Sequence, residues 1–277
     1  MSIHVYHDDL LDEYTWGKDE VLLDGDINLM EDTLFNIDGY GIVKVAGHNH
    51  FLRKFIGEYI YNLTSKFIEL EKYHLEITED EHAEILHNMP CKKDATPESY
   101  EFCEQLERSI SAIVKKPVRV FNNDIWIRIC RPTHISDSDY NPCHKDIYLD
   151  FYRNTVNIYL PIAGSNDKSS LMMEPGSHRW NENETIVTRG GTYLKKKGKK
   201  YSVDAVIASR RPLNMVRPNP SIDEMILFSP YMIHGCSSNN NKDQTRISLE
   251  IRFILDVPES LKQEKAIQEF MVKRVWR

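Results

Sequence analysis

No apolar run in this chain approaches the roughly 18 residues that a membrane helix needs, so no spanning segment is expected. No CxxC pair occurs among its 5 cysteines, which removes the usual zinc-ribbon and dithiol-redox motifs. The cysteine count is odd, and the acidic opening MSIHVYHDDLLDEY has no apolar signal core. Together these predict reduced thiols and a cytoplasmic location. Net positive charge is also missing: the formal charge is −7, which argues against nonspecific nucleic-acid binding. Neither a nucleic acid nor a membrane is therefore expected as a partner, and a small molecule remains. Repeats and low-complexity linkers are absent.

What is present is ordinary globular material. A chain of 277 residues with 41% hydrophobic and 28% charged content can bury a real core within a single domain. The charge is uneven. Between Arg189 and Arg217 nine basic residues face one acidic residue, Asp204, so a basic insertion at about 185–220 sits in an acidic protein.

The pattern changes once along the chain. Residues 1–116 read as mostly helical support. Within them, 1–32 are an acidic lead-in, and LFNIDGYGIVKVAG (34–47) reads as a helix end, a glycine turn and a short strand. Helical spacing predicts a helix over 50–73 and another over 96–116, the latter with Thr96 as N-cap and Pro97 in the first turn. From 117 to 256, short apolar runs separated by turn residues predict strands at 125–130, 155–164, 169–177, 225–230 and 246–255. A final helix is expected over 257–277. Helices followed by many short strands predict a mainly β fold, an antiparallel sandwich or barrel buttressed by N-terminal helices.

The chemistry starts at NPCHKDIYLD (141–150). On a strand, residues two apart share a face, so His144 and Asp146 can present an imidazole and a carboxylate together. Alone, that pair is more readily a polar edge of a surface strand. His234, in FSPYMIHGCSSNN, supplies a second imidazole. Two histidines and one carboxylate on one side of a metal leave the other side open, which suits non-haem iron(II). Beyond it, TRISLEIRF alternates cleanly. Ile247, Leu249, Ile251 and Phe253 face one way; Arg246, Ser248, Glu250 and Arg252 face the other. A buried polar face needs partners, and a dicarboxylate gripped by an arginine and a serine hydroxyl would meet that need.

The ordered set His144-x-Asp146, His234, Arg246-x-Ser248 resembles the Fe(II)/2-oxoglutarate-dependent oxygenases. LMMEPGSHRW and FNIDGYGIVKVAG narrow the resemblance to the phytanoyl-CoA dioxygenase-like branch, over residues 34–253. The resemblance implies a double-stranded β-helix (jelly-roll, cupin-like) core. It implies iron held by His144, Asp146 and His234, with 2-oxoglutarate held at its C5 carboxylate by Arg246 and assisted by Ser248. Oxidative decarboxylation of 2-oxoglutarate by O2, to succinate and CO2, would be coupled to substrate oxidation, usually hydroxylation. An aspartate rather than Ala or Gly at 146 argues against a halogenase. His178, within the PGSH stretch, is expected to be structural, and Arg252 is expected to pair with Glu250 or another carboxylate.

For the substrate, Arg128 in IWIRICRP either looks into the barrel mouth or makes a structural salt bridge. Lys195, Lys196 and Lys197 in LKKKGKK form either a solvated hairpin or a basic lip that attracts anions. The reading favoured is a small polar, anionic metabolite: a sugar, nucleotide-linked or amino-acid-derived intermediate. Fatty acyl-CoA hydroxylation, a cupin-type metalloenzyme without 2-oxoglutarate and a non-catalytic binding barrel stay open as alternatives.

Overall fold

The computed structural model describes residues 3–6, 14–16, 37–45, 48–89, 92–136, 139–148, 150–188, 194–196, 199–201 and 203–255. The strands are β1 (His4–Val5), β2 (Tyr14–Trp16), β3 (Tyr40–Lys44), β4 (Val118–Cys130), β5 (Thr155–Ala163), β6 (Thr185–Thr188), β7 (Leu194–Lys196), β8 (Lys199–Tyr201), β9 (Val206–Ser209), β10 (Glu224–Phe228) and β11 (Arg246–Leu255). Two antiparallel sheets face each other as a double-stranded β-helix. The larger runs β3-β10-β5-β11-β4 and the smaller β1-β9-β6-β2, with β7 and β8 as a separate hairpin.

The alternation of β11 decides which side of the large sheet is which. Ile247, Leu249, Ile251 and Phe253 are at most 1% exposed and join the main core. Among the described residues, four helices supply its other half: α1 (His48–Thr64), α2 (Tyr73–Glu76), α3 (Glu79–Asn88) and α4 (Pro97–Val114). Ile56 and Ile60 of α1, Ile85 of α3, and Leu106 and Ile110 of α4 meet Ile158, Leu160 and Phe253 there. Each such side chain stabilises the fold by about 1.5–3 kcal/mol on burial. The opposite face of β11 turns towards the space between the sheets, where the functional side chains lie.

The strands at 125–130, 155–164, 225–230 and 246–255 are present, and β11 has the predicted limits. Residues 169–177 are not a strand. Met173 makes only isolated bridges, to Val216 and His234, before the chain turns at Gly176 into a 3-10 turn, Ser177–Arg179. The helix expected over 50–73 stops at Thr64. Its hydroxyl accepts from Lys66 N at 3.2 Å, and Ser65 adopts a left-handed φ of 58°. Helix α3 was not expected, although Thr78 and Glu81 form a full capping box at its start. The N-terminal part supplies strands too, since β1 and β2 complete the small sheet. The helix expected over 257–277 lies outside the described residues, as does Lys197.

Gly39 explains two of the sequence stretches at once. Its φ of +84° and an added Cβ only 2.2 Å from Met232 Sδ and 2.5 Å from His178 Nδ1 permit no side chain. Gly176 N donates to Asp38 O at 2.9 Å, so the Asp-Gly turn and the Pro-Gly-Ser-His turn are two halves of one contact. His178 is fully buried in that contact.

Two substitutions gauge these terms. Phe253→Ala is expected to lower unfolding stability by about 3–5 kcal/mol through lost burial and a cavity. Thr96→Ala, which removes the α4 cap, is expected to cost about 1 kcal/mol. Urea unfolding of both variants checks the ranking; equal losses would mean that Phe253 does not anchor the core.

Candidate metal centre

His144 and Asp146 do not lie on a regular strand. His144 makes an isolated antiparallel bridge with His234, each backbone N–H donating to the other's carbonyl at 2.9 Å. Asp146 opens a 3-10 turn, Asp146–Tyr148, and its N–H donates to Pro230 O at 2.9 Å. The two segments, ninety residues apart in sequence, are thus each other's hydrogen-bonding partners. Gly235 makes this close approach possible, because a Cβ there would stand 2.4 Å from Pro142 O.

The three side chains converge. One ligand atom from each of His144, Asp146 and His234 lies within 4.8 Å of the others. His144 Nε2 is 3.5 Å from Asp146 Oδ1, and His234 Nε2 is 3.6 Å from Asp146 Oδ2. Exposures of 3%, 2% and 5% place all three in the interior. Both imidazoles are oriented from behind. His144 Nδ1 lies 2.7 Å from Pro142 O and His234 Nδ1 3.0 Å from Met232 O. A carbonyl only accepts, so each Nδ1 carries the proton and each Nε2 lone pair points to the shared space. A buried His–Asp–His set with open space before it fits an octahedral, borderline-hard ion such as iron(II).

The carboxylate is held on its far side. Arg252 donates from Nη2 to Asp146 Oδ1 at 2.7 Å and from Nε to Oδ2 at 3.2 Å, and Asn157 Nδ2 donates to Oδ2 at 2.6 Å. Burial alone would raise the Asp146 pKa. Arg252, His234 and His144 outweigh it and hold the carboxyl well below its ordinary range. Burial, reinforced by His144, lowers the His234 pKa to about 4, so this imidazole is neutral and able to ligate at ordinary pH.

A cavity of about 280 Å³ opens over the cluster, and His144, His234, Cys130, Arg246, Glu250 and Arg252 are among its walls. Arg246 is 2% exposed and Ser248 is fully buried. The Arg246 Nη2 donates to Cys130 Sγ. Its Nε and Nη1 have no hydrogen-bond partner among the described residues; Ser248 Oγ has none of ordinary geometry, although the Tyr159 hydroxyl is close enough to interact with it. The Tyr159 ring centroid lies 6.0 Å from the Arg246 guanidinium, and the Tyr159 hydroxyl is 2.8 Å from Ser165 Oγ. Unpaired buried donors are costly, and an anion bound at this corner would pair them.

The remaining predicted residues separate. Arg128 lines the cavity, but its Nε donates to Glu250 Oε2 at 3.1 Å and its guanidinium lies 5.6 Å from the Trp126 ring centroid. Lys195 and Lys196 lie on the β7–β8 hairpin, paired in register with Lys200 and Lys199. Arg252 pairs with a carboxylate as expected, and the carboxylate is Asp146. Cys143 and Cys236 stay out of the ligand cluster and meet each other, Cys143 N donating to Cys236 Sγ at 3.0 Å. Asn157 and Cys130 carry no motif. The one available signal for Asn157 was a polar residue inside the otherwise apolar run TVNIYL.

No family model matches the chain, and no curated protein does. Several solved structures are similar in fold. EctD from S. alaskensis, solved with 2-oxoglutarate and 5-hydroxyectoine, shares 14% identity at a TM-score of 0.49, over 91% of this chain and 83% of that one. AviO1 from Streptomyces viridochromogenes Tue57 shares 15% identity at 0.45, over 86% of this chain and 96% of that one. SnoK, a non-haem α-ketoglutarate-dependent carbocyclase from nogalamycin biosynthesis, shares 12% identity at 0.45, over 85% of each chain.

The His234 shift has a consequence for stability. An unfolded histidine titrates near 6.5, the folded one at about 4. Between these values the unfolded chain binds more protons. Stability of the metal-free protein therefore rises with pH through this window and is lost as pH falls through it. Urea midpoints across the window are expected to follow that slope, and His234→Gln to flatten it. An unchanged slope in the variant would remove His234 as the titrating group.

Proposed function

We propose that the protein is an iron(II)- and 2-oxoglutarate-dependent oxygenase that acts on a small polar, anionic metabolite. The observation that carries this reading is the pairing of two features in one cavity. A buried His–Asp–His cluster lies at one place, and at another lies a buried arginine with two free donors, two residues along its strand from Ser248. The first fits a metal with open positions. The second fits the far carboxylate of a dicarboxylate cosubstrate. A metal-binding barrel without 2-oxoglutarate would have no use for the second.

Iron at this place would supply O2 activation coupled to decarboxylation of 2-oxoglutarate to succinate and CO2. The chain's own residues do the rest. His144 and His234 present Nε2 because Pro142 O and Met232 O hold the Nδ1 protons. Asp146 stays ionised because Arg252 and Asn157 take its rear lone pairs. Arg246 and Ser248 bind and orient the cosubstrate's C5 carboxylate. Burial of His144, Asp146 and His234 leaves the cluster little contact with bulk water. Arg128, held by Glu250 at the cavity wall, and the lysines at 195, 196 and 197 would draw an anionic substrate.

The direct test is anaerobic titration of the metal-free protein with Fe(II) and then 2-oxoglutarate, followed by visible absorption. A weak charge-transfer band is expected with the wild type and is expected to vanish in His144→Ala. Iron binding without the band would replace this reading by a metalloenzyme that does not use 2-oxoglutarate. Arg246→Ala is expected to weaken 2-oxoglutarate by about 2–5 kcal/mol, seen as a raised KM with iron affinity kept. If Arg252→Ala did this instead, the two arginines would exchange roles.

The substrate assignment has its own check. Replacing Lys195, Lys196 and Lys197 together by Gln is expected to raise KM for an anionic substrate and to flatten its salt dependence. An unaltered KM would leave that stretch as a solvated hairpin.

A further inference from the structure

Cys130 stands in an unusual place for a thiol. It is the register partner of Arg246 across the β4–β11 ladder, and its sulfur accepts from Arg246 Nη2. The thiol proton is directed to the Asp139 carbonyl. Only 1% of the residue is exposed, yet it forms part of the wall of the cavity above the metal cluster. A small solute that enters the cavity can therefore reach it. Among the described cysteines, Cys130 alone lines this cavity. Cys103, by contrast, sits in the helix-packed core, where burial pushes its thiol up to about 12.

Arg246, which touches the sulfur through Nη2, keeps two donors without partners, Nε and Nη1, and Ser248 lies two residues further along the same face of β11. With the Nη2 hydrogen that is not on the sulfur, one of these donors makes a two-donor edge for a two-oxygen anion. A sulfinate is such an anion, with two oxygens on one centre as in a carboxylate. We propose that Cys130 is an oxidation site for peroxide, whose sulfinate form fills the anion cradle of Arg246 and Ser248 and excludes 2-oxoglutarate. The proposal rests on the assignment of that cradle to the distal carboxylate of 2-oxoglutarate.

The chemistry balances with hydrogen peroxide as oxidant. The sulfur lone pair attacks one peroxide oxygen, the O–O bond breaks, and hydroxide leaves with the thiol proton as water. Sulfur is thereby oxidised by two electrons to the sulfenic acid. A second peroxide repeats the displacement, which gives the sulfinic acid and a second water. The neighbouring guanidinium stabilises the final anion.

The test uses the full chain loaded with zinc(II), which does not react with peroxide by electron transfer. Calorimetry with untreated protein comes first. Absence of 2-oxoglutarate binding would overturn the cosubstrate assignment and this proposal together. Where binding is found, the protein is treated with peroxide, the excess is removed with catalase, and peptides are mapped by mass. Two added oxygens on the Cys130 peptide and an approximately tenfold loss of 2-oxoglutarate affinity are expected. Prior saturation with N-oxalylglycine, an analogue that peroxide does not decarboxylate, is expected to protect Cys130. Cys130→Ser is then compared with itself before and after peroxide, and its affinity is expected to stay constant. Cys130→Ala serves the same comparison if the serine variant is unstable. An unmodified Cys130, oxidation at the same rate with and without the analogue, or an equal loss of affinity in the cysteine-free variant would each overturn the proposal while leaving the cosubstrate assignment intact.

Discussion

A carboxylate buried to 2% exposure has to be matched by positive charge, and much of the site follows from how Asp146 is matched. Arg252 comes from the last strand of the large sheet, Asn157 from the central strand beside it, and the histidines from two loops that cross between the sheets. Four separate parts of the chain therefore converge on two oxygen atoms. The strand order places β5 next to β11, and the register sets Arg252 opposite Asn157. Sheet topology, not local sequence, puts both donors on one carboxylate.

The same face of β11 serves a second charge problem a few residues away, and solves it differently. Arg252 is hydrogen-bonded to a protein carboxylate, whereas Arg246 donates to a sulfur, lies beside an aromatic ring and feels the Glu250 charge only at a distance. Within one strand, one guanidinium is satisfied and the other is left open. Under the proposed function, that contrast would separate an arginine that supports the metal cluster from one that takes the cosubstrate. Glu250, between them on the strand, is taken by Arg128 from the neighbouring edge strand and so does not close the gap.

Much of this was legible in the sequence, for identifiable reasons. The ends and faces of β11 follow from period-two alternation, which needs no tertiary information. Thr96 marks the start of α4 through capping chemistry that acts within one turn. What could not be read depends on contacts remote in sequence. His144 and Asp146 share a site although no strand places them on one face; the pairing with His234 and Pro230 does so instead. The run at 169–177 is apolar enough for a strand but is spent on bridges to two different segments. The pairing of Cys130 with Arg246 requires knowing which strand lies beside β11. Helix α3 is a different case, because its capping box at Thr78 and Glu81 was visible and its acidic sequence offered a weak apolar stripe.

The mutual pairing of the segments around His144 and His234 has a kinetic consequence. Closing a loop of ninety residues is an entropic barrier that only long-range sheet formation repays. The two imidazoles come together only when that pairing has formed, so a metal ion finds its full ligand set late in folding. Bound metal would then add little to the folding rate and act mainly as a brake on unfolding. Loss of metal should accordingly shorten the lifetime of the folded protein more than it hinders its formation.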